Sequence, residues 1–388
     1  MIDKKKKQES LNISLKKGRD PSDLSVAPKE VAREVLRFEG DPGSPFLAPR
    51  GVFFDGKHIV VSDTGQNRLF IWESPLKSIM SEPKVILGQS NHLLTGRNRK
   101  GNVDASTLHY PSGVWSNGEC LIVADAWNHR VLIWHQFPTS QGQAADVVVG
   151  QPNFTSNKPN VENIGAAPTA RSLHWPYGVT VFNGKLIIAD TGNRRVLVFD
   201  DIPQKNYQEA SSIIGKDHFT DRDFDPLNPI WPYSVKLNEK GCLAITDTQY
   251  YRVLVWEDWN TALLNKADVI IGQSDFEENG QNQFGLHPKA HTLNWCYDSH
   301  FYKDGVIVAD TGNSRLLWFP KIPEENNSAA SGVIGKPNFH TGSEYSETQI
   351  GTHKSLYWPF SISIDSKNGL LYLADTGNHR LVIYKLLI

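Results

Sequence analysis

Cysteine is scarce in this sequence, and the few cysteines that are present form no pattern. Cys120, Cys242 and Cys296 lie far apart, and their number is odd. A disulfide framework needs paired cysteines, and a structural zinc site needs closely spaced ligands. The sequence therefore predicts neither of these, and we expect no bound metal and no cofactor.

Long apolar runs are absent as well. No run approaches the roughly 18 residues that would span a bilayer. The first residues lead directly into four lysines at positions 4–7, without the apolar segment that a secretory signal requires. We therefore expect a cytoplasmic protein with no membrane partner.

An excess of basic charge is confined to the start of the chain. Residues 1–33 carry nine Lys and Arg against five Asp and Glu, a net charge of +4, and the remaining 31 basic and 37 acidic residues give −6. We expect residues 1–33 to form a flexible basic extension and residues 34–388 to form one domain. A mildly acidic body argues against a nucleic-acid partner, because clustered basic surface supplies most of that affinity.

One polar corner, flanked by two apolar runs, recurs six times. Each copy has an aspartate followed five residues later by an arginine, and the spacings between the aspartates are 62, 65, 57, 63 and 65 residues. The aspartates are Asp63, Asp125, Asp190, Asp247, Asp310 and Asp375. Such a regular period indicates an array of one supersecondary unit.

Each unit contains four apolar segments of strand length, except the sixth, which ends after its third. Residues 35–38, which precede the first full unit, can supply the missing strand. The prediction is an all-β six-bladed β-propeller of four-stranded antiparallel blades, in which an N-terminal strand at about residues 35–38 completes the last blade.

Two of the repeated phrases resemble NHL repeats. They are the Ala-Asp-Thr-Gly-Asn phrases at residues 189–199 and 374–384, and the linking phrase at residues 145–157 resembles a bacterial subgroup with long loops between blades. The resemblance covers residues 35–388 and implies a propeller. It implies no single function, because such propellers include RNA binders, protein scaffolds, peptide-amidating lyases and relatives of strictosidine synthase.

The repeated corner residues are predicted to be structural. The aspartate and arginine are expected to pair, while Gly and Asn are expected to supply left-handed conformations. Two corners break the pattern, with Trp127 in place of Gly in the second unit and Tyr250 in place of Asn in the fourth. These two aromatic residues indicate either an exposed contact surface or packing beneath the loops.

A second variable position lies in the phrase aromatic-Pro-x-Gly, at the start of each innermost strand. The residues at x are Arg50, Ser112, Tyr177, Tyr233, Tyr297 and Phe360. We expect them to form an aromatic ring at the mouth of the central channel, either as a ligand-binding funnel or as packing between blades. A carboxylate ligand is the simplest partner for Arg50.

The residue before the proline is aromatic in five of the six units. These residues are Tyr110, Trp175, Trp231, Trp295 and Trp358, with Ala48 in the first unit. Because the position keeps its aromatic character around the array, we expect it to pack in the core or between blades.

Catalytic candidates are few and weak. His109 and His174 occupy matching places in neighbouring units, and Cys296 and Asp298 lie near the mouth. In the amidating lyases, the resemblance implies zinc-binding histidines at position x or its equivalent, but none of the six x residues here is histidine. No nucleophile elbow, phosphate loop or His-Glu-x-x-His phrase occurs.

The sequence therefore favours a non-catalytic binding or scaffold propeller. Its expected partner is a peptide, a small metabolite or a protein, held on the face that carries the long loops. The alternative is an enzyme with its active site in the funnel, for secondary-metabolite or peptide maturation. A third possibility is RNA binding through the basic loop at residues 97–100.

Overall fold

The described residues form six four-stranded sheets. The structure is a computed structural model that describes residues 29–36, 46–74, 82–345, 348, 352 and 354–387. Residues 1–28 of the predicted extension, and residues 37 and 38 of the predicted closing strand, lie outside the described residues. All strand pairings within the sheets are antiparallel, which confirms the predicted all-β six-bladed propeller.

The blades are numbered here in chain order. Blade one comprises β2 Gly51–Phe54, β3 His58–Asp63, β4 Arg68–Glu73 and β5 Val85–Leu87. Blade two comprises β6 Pro111–Ser116, β7 Leu121–Asp125, β8 Arg130–Trp134 and β9 Val147–Val149, and blade three β10 Pro176–Phe182, β11 Lys185–Asp190, β12 Arg195–Phe199 and β13 Ser212–Ile214. Blade four comprises β14 Pro232–Leu237, β15 Leu243–Asp247, β16 Arg252–Trp256 and β17 Val269–Ile271. Blade five comprises β18 Asp298–Tyr302, β19 Gly305–Asp310, β20 Arg315–Phe319 and β21 Gly332–Ile334. Blade six comprises β22 Pro359–Asp365, β23 Leu370–Asp375, β24 Arg380–Leu387 and β1 Lys29–Leu36.

The fourth strand of blade six comes from the N-terminal side of the chain. Strand β1 pairs with β24, with Lys29 opposite Leu387 and Leu36 opposite Leu381. The strand begins six residues before the predicted position 35. Blade six therefore includes residues 29–33, which the charge pattern assigns to the extension.

The core lies between neighbouring blades. Six apolar clusters occur in the part of the chain that the structure describes, and each is shared by two adjacent blades. Ile122 of blade two, for example, packs with Leu186 of blade three. A four-stranded blade has two apolar faces, and stacking the blades in a ring buries both.

The corner between the second and third strands of each blade is a short 3-10 helix. These helices are Thr64–Gln66, Ala126–Asn128, Thr191–Asn193, Thr248–Tyr250, Thr311–Asn313 and Thr376–Asn378, and further short ones in loops are Arg97–Lys100, Pro159–Val161, Thr261–Leu263 and Gln281–Phe284. The inner strand starts opposite the corner, as Pro176 does opposite Asp190. The corners, the starts of the inner strands and the long loops between blades therefore share one face, the corner face.

The corner aspartate and arginine form a fully buried ion pair in every blade. The Nε to Oδ2 distances are 2.6–2.9 Å. The other carboxylate oxygen accepts a backbone N–H from the segment before the inner strand at 2.6–2.7 Å. Arg130, for example, also donates to the carbonyls of Phe154, Asp104 and Thr107. Each pair thus ties two loops to one corner, as the structural interpretation predicts.

The expected reason for the corner glycine and asparagine was wrong. The left-handed residue is the one that follows the 3-10 helix, such as Asn67 with φ 55°. Glycine is needed for space, because a Cβ at Gly192 would lie 2.5 Å from the His174 ring. The asparagine pairs with a loop asparagine: Asn193 and Asn160 exchange amide hydrogen bonds at 2.8 and 3.1 Å.

Candidate functional site

The six x residues do come together at the mouth of the central channel. We call them the mouth ring: Arg50, Ser112, Tyr177, Tyr233, Tyr297 and Phe360. All six line one cavity of about 30 Å³, which is room for one or two water molecules. Each residue is placed there by the start of its inner strand, so the ring follows directly from the repeat.

The aromatic members of the mouth ring pack against one another. Tyr177 stacks on Tyr233 at 4.5 Å between ring centroids, Tyr233 meets Tyr297 edge to face at 4.6 Å, and Tyr297 stacks on Phe360 at 4.0 Å. The Arg50 guanidinium lies 4.2 Å above the Phe360 ring. The rings therefore fill the channel mouth instead of leaving an open funnel.

Burial makes three phenols of this region harder to ionise. It raises the pKa of Tyr177 and Tyr297, and that of Tyr110 beside them, above the ordinary value of 10. Tyr233 is 5 % exposed and lies with its hydroxyl 3.4 Å from Ser112 Oγ. The mouth ring thus provides a rigid floor with few free polar groups, and ligand binding by its members stays a prediction.

Trp127 extends the mouth ring outward. Its indole stacks on Tyr110 at 4.5 Å, and its Nε1 donates to the Tyr177 hydroxyl at 3.3 Å. The corner keeps its backbone hydrogen bond, because Trp127 N donates to the His109 carbonyl at 3.1 Å as Gly192 N donates to the His174 carbonyl at 2.8 Å. Trp127 remains 44 % exposed, so it is available for contact.

Tyr250 has a different environment from Trp127. Its side chain is 5 % exposed, the Arg252 guanidinium lies 4.6 Å above its ring, and Phe224 covers it at 5.7 Å. It does not line the channel cavity. Of the two interpretations given for the unusual corner aromatics, Tyr250 therefore fits packing beneath a loop and not an exposed contact surface.

The four catalytic candidates do not converge. Cys296 is fully buried, its Sγ lies 3.4 Å from the Arg252 carbonyl oxygen, and burial raises its pKa well above 9. A thiol in that state is a poor nucleophile. Asp298 lies in the channel, where it accepts the Ile362 N–H at 2.8 Å and lies 3.7 Å from the Lys236 ammonium.

The two candidate histidines lie beside a third one that the sequence did not single out. His129 is 5.3 Å from His174 between ring centroids, and burial, followed by the nearby His174 and His109, lowers its pKa to about 3. His174 is buried, and its two ring nitrogens have no hydrogen-bond partner among the described residues. In the described part of the chain no three His, Cys, Asp or Glu side chains are placed to hold a metal ion.

Comparison with known proteins agrees with this architecture. A model of the NHL repeat matches residues 356–384, the segment that holds the corner of blade six. NHL repeat-containing protein 2 from Homo sapiens is 22 % identical over 379 residues, covering 89 % of this chain and 47 % of the human protein. This chain is an NHL-repeat β-propeller. It spans about half the length of that human relative.

Solved structures support the fold of this NHL propeller. A crystal structure of a Bacteroides thetaiotaomicron protein of unknown function is 10 % identical, with a TM-score of 0.51 over 92 % of this chain and 75 % of that one. At this identity the likeness concerns the fold alone. The resemblance to a bacterial subgroup with long loops stays a prediction.

The aromatic residues that precede the inner strands were expected to pack in the core or between blades, and two of them do not. Trp295 and Trp358 are 41 % and 45 % exposed, so they are not buried between blades. In five blades this residue has a left-handed backbone, with φ values of 51° at Ala48, 58° at Tyr110, 51° at Trp175, 45° at Trp295 and 53° at Trp358. Left-handed φ is rare for bulky residues and persists only where neighbours hold it. The sequence pattern showed the residues but not this backbone state.

Hydrogen bonds from the preceding blade hold this backbone state. In four blades, the side chain of the residue after the corner helix accepts a hydrogen bond from the N–H of the left-handed residue in the next blade. These acceptors are Asn67, His129, Ser314 and His379. Arg194 has no acceptor to offer there, and its partner Trp231 donates to Asp247 instead and is not left-handed. In four blades of the NHL propeller, the backbone before the inner strand is therefore positioned by the preceding blade.

Exposed apolar side chains are concentrated on the corner face. Of the twelve large apolar residues that are exposed in the described part of the chain, eleven belong to segments of that face: Leu47, Leu93, Leu94, Trp127, Ile164, Phe224, Leu227, Phe284, Leu286, Trp295 and Trp358. The twelfth, Leu264, lies in the connection between β16 and β17 on the opposite face.

Membrane-spanning helices are not found in the described part of the NHL propeller, where no helix is both long enough and apolar enough to cross a bilayer.

Proposed function

We propose that this NHL propeller is a non-catalytic binding module that holds a peptide or a partner protein on its corner face. The single observation that carries the proposal is the distribution of exposed apolar side chains, eleven of twelve on one face. Soluble proteins cover most large apolar groups, and an apolar surface on one side marks an interaction site.

The kind of residue on this face supports the proposal. Tryptophan contributes disproportionately to protein interfaces, and Trp295 and Trp358 present nearly half of their surface to solvent. Each indole packs against a tyrosine ring, Trp295 against Tyr251 at 5.3 Å and Trp358 against Tyr357 at 4.6 Å, which restricts the side-chain freedom that binding would remove. A rigid ring of blades that positions variable loops is also a common basis for recognition.

A macromolecular partner fits the geometry better than a metabolite in the channel. The cavity at the mouth ring holds about 30 Å³, whereas pockets for small molecules have volumes of roughly 300–1,000 Å³. The catalytic alternative has no comparable support, because His174 and Cys296 are buried and the Cys296 thiol contacts a backbone carbonyl instead of a base. The cytoplasmic location, and the absence of a nucleic-acid partner, stay predictions.

Selection from a peptide library tests the proposal. Displayed peptides would be selected on the intact protein alone, and the enriched peptides would then be tested on the Trp295→Ala/Trp358→Ala variant. The matched control is Leu264→Ala, which removes an 88 % exposed apolar side chain from the opposite face. We expect enriched peptides that bind the wild type and the control alike. Failure to enrich any peptide, or enrichment of peptides that require Leu264, would contradict the proposal.

A further inference from the structure

A groove lies beside the mouth ring, between the two long loops that flank blade two. We call it the blade-two groove; its cavity volume is about 610 Å³, and it is lined by Arg97, Asn98, Gly101, Asn102, Val103, His109, Trp127, Thr155 and Asn157. The volume falls in the usual range for ligand sites. The blade-two groove is distinct from the protein-binding surface proposed above, because it is a concave site with its own polar lining.

Trp127 gives the groove an aromatic platform. Tyr110 covers one face of the indole at 4.5 Å, so the exposed surface of Trp127 belongs to its remaining face and edges. His109 stands nearly perpendicular to the indole, at 5.3 Å and 79°, and forms a wall instead of a second parallel plate. Such a platform suits a ring that stacks on one side only.

The two loops of the groove are held before any ligand arrives. Asn98 of the first loop and the corner residue Asn128 exchange buried amide hydrogen bonds at 2.8 and 3.1 Å. Asn98 N also donates to the Leu108 carbonyl at 2.9 Å, and Asn157 of the second loop approaches Asn128 at 3.5 Å. A preorganised site loses less entropy on binding.

The polar groups that line the groove are neutral or cationic. Arg97 and Asn102 are exposed, and neither side chain has a hydrogen-bond or ion-pair partner among the described residues. The Thr155 hydroxyl, which donates to Asn153 Oδ1 at 2.8 Å and can still accept a hydrogen bond, and the Asn157 amide belong to the second loop, and no carboxylate lines the groove. An unpaired arginine with no competing acid selects an anion, and a planar carboxylate matches its fork.

From these features we infer that the blade-two groove binds an acidic sugar residue, a uronate within a glycan. One apolar face of the sugar ring stacks on Trp127, and the ring hydroxyls bond the amides and hydroxyl of Asn102, Asn157 and Thr155. The carboxylate of the uronate pairs with Arg97. The several neutral donors and acceptors beside one aromatic platform match the hydroxyl groups and the apolar face of a sugar ring.

An array of uronate-containing glycans, each printed beside its neutral counterpart, provides the test. The variant Trp127→Gly introduces the residue found at four of the other corners, so it is expected to fold normally, as a thermal melt will check. We expect it to reduce the uronate signal at least tenfold. Arg97→Gln is expected to bring the uronate signal down to that of the neutral counterpart while leaving neutral binding unchanged.

The outcomes against the inference are specific. If the wild type binds uronate-containing and neutral glycans equally well, Arg97 does not recognise the carboxylate. If a folded Trp127→Gly protein gives an unchanged uronate signal, the sugar does not stack on Trp127. If adenosine monophosphate displaces bound uronate at lower concentration than galacturonate does, the ligand is a nucleotide and the sugar assignment is wrong. None of these results depends on Trp295 or Trp358, so the test is independent of the protein-binding proposal.

Discussion

The Nδ1 atom of His379 accepts a hydrogen bond from the backbone N–H of Ala48 at 3.0 Å, across 331 residues of the chain. This contact lies at the seam between blades six and one. Two more bonds cross the seam nearby, from Val52 N to Ser361 Oγ at 3.2 Å and from Phe54 N to Ser363 Oγ at 2.9 Å. The ring is therefore joined at this seam by side chain to backbone bonds.

His379 can be replaced by the residue that blade one uses in the same place. There Asn67 accepts the N–H of Tyr110 at 3.0 Å. We expect His379→Asn to keep nearly all the free energy of unfolding and His379→Ala to lose about 0.5–1.5 kcal/mol, the usual net contribution of one hydrogen bond. Urea unfolding of both variants measures this. Equal stability of the two would show that the bond contributes nothing.

The buried ion pairs should be far more sensitive than exposed ones. Arg195 and Asp190 are fully buried, with Nε and Oδ2 2.7 Å apart, so Arg195→Met leaves a buried carboxylate without its partner. We expect a loss of about 3–5 kcal/mol of unfolding free energy. The matched control in the same blade is Lys185→Met, whose partner Asp200 is largely exposed, and it should cost at most about 1 kcal/mol. Similar losses in both variants would contradict the structural role of the corner pair.

The mouth ring should behave as packed core. Tyr233 is 5 % exposed and contacts Tyr177, Tyr297 and Phe360, so Tyr233→Ala should lose about 3 kcal/mol or more of unfolding free energy. Tyr233→Phe should cost less, about 1–2 kcal/mol, because it removes the hydroxyl's contact with Ser112 Oγ and its hydrogen bond with Arg50 but keeps the ring. A melting temperature of Tyr233→Ala equal to the wild type would mean that the ring is a free ligand surface after all.

Stability should fall in mild acid because of His129. Its pKa drops from the ordinary 6.5 to about 3 on folding, so the unfolded chain binds the proton more readily. The stability that comes from keeping His129 neutral is fully present above pH 6.5. It is lost as the pH falls from 6.5 toward 3, because the unfolded chain then takes up a proton that the folded protein does not. His129→Asn keeps an acceptor for the Trp175 N–H but cannot be protonated. Between pH 7.5 and pH 5, we expect wild-type protein to lose up to about 2 kcal/mol more unfolding free energy than this variant. Parallel losses would contradict the prediction.

The sequence predicted the fold well because the fold is repeated. Six aspartates with arginines five residues later allowed the blades to be counted, and one missing strand indicated how the last blade is completed. The reason for a corner glycine was harder to foresee, since the contact between Gly192 and His174 depends on the path of the loop.

The site was predicted less completely than the fold. The positions of the mouth ring follow from the repeat, but whether the rings stack or leave a funnel depends on rotamers and on the separation of the blades. The left-handed backbone at Trp295 and Trp358 depends on acceptors, or on packing, supplied by another blade. Tyr250 and Trp127 both break the corner pattern, yet only their loops decide that the first is covered and the second exposed.

The affinity of a selected peptide for three proteins tests the central claim most directly. Surface plasmon resonance would compare the wild type, the Trp295→Ala/Trp358→Ala variant and the Leu264→Ala control under identical conditions. If the corner face binds the partner, the double variant should have a Kd at least tenfold higher, and the control a Kd within about twofold of the wild type. An unchanged Kd in the double variant, or a tenfold loss in the control, would contradict the account.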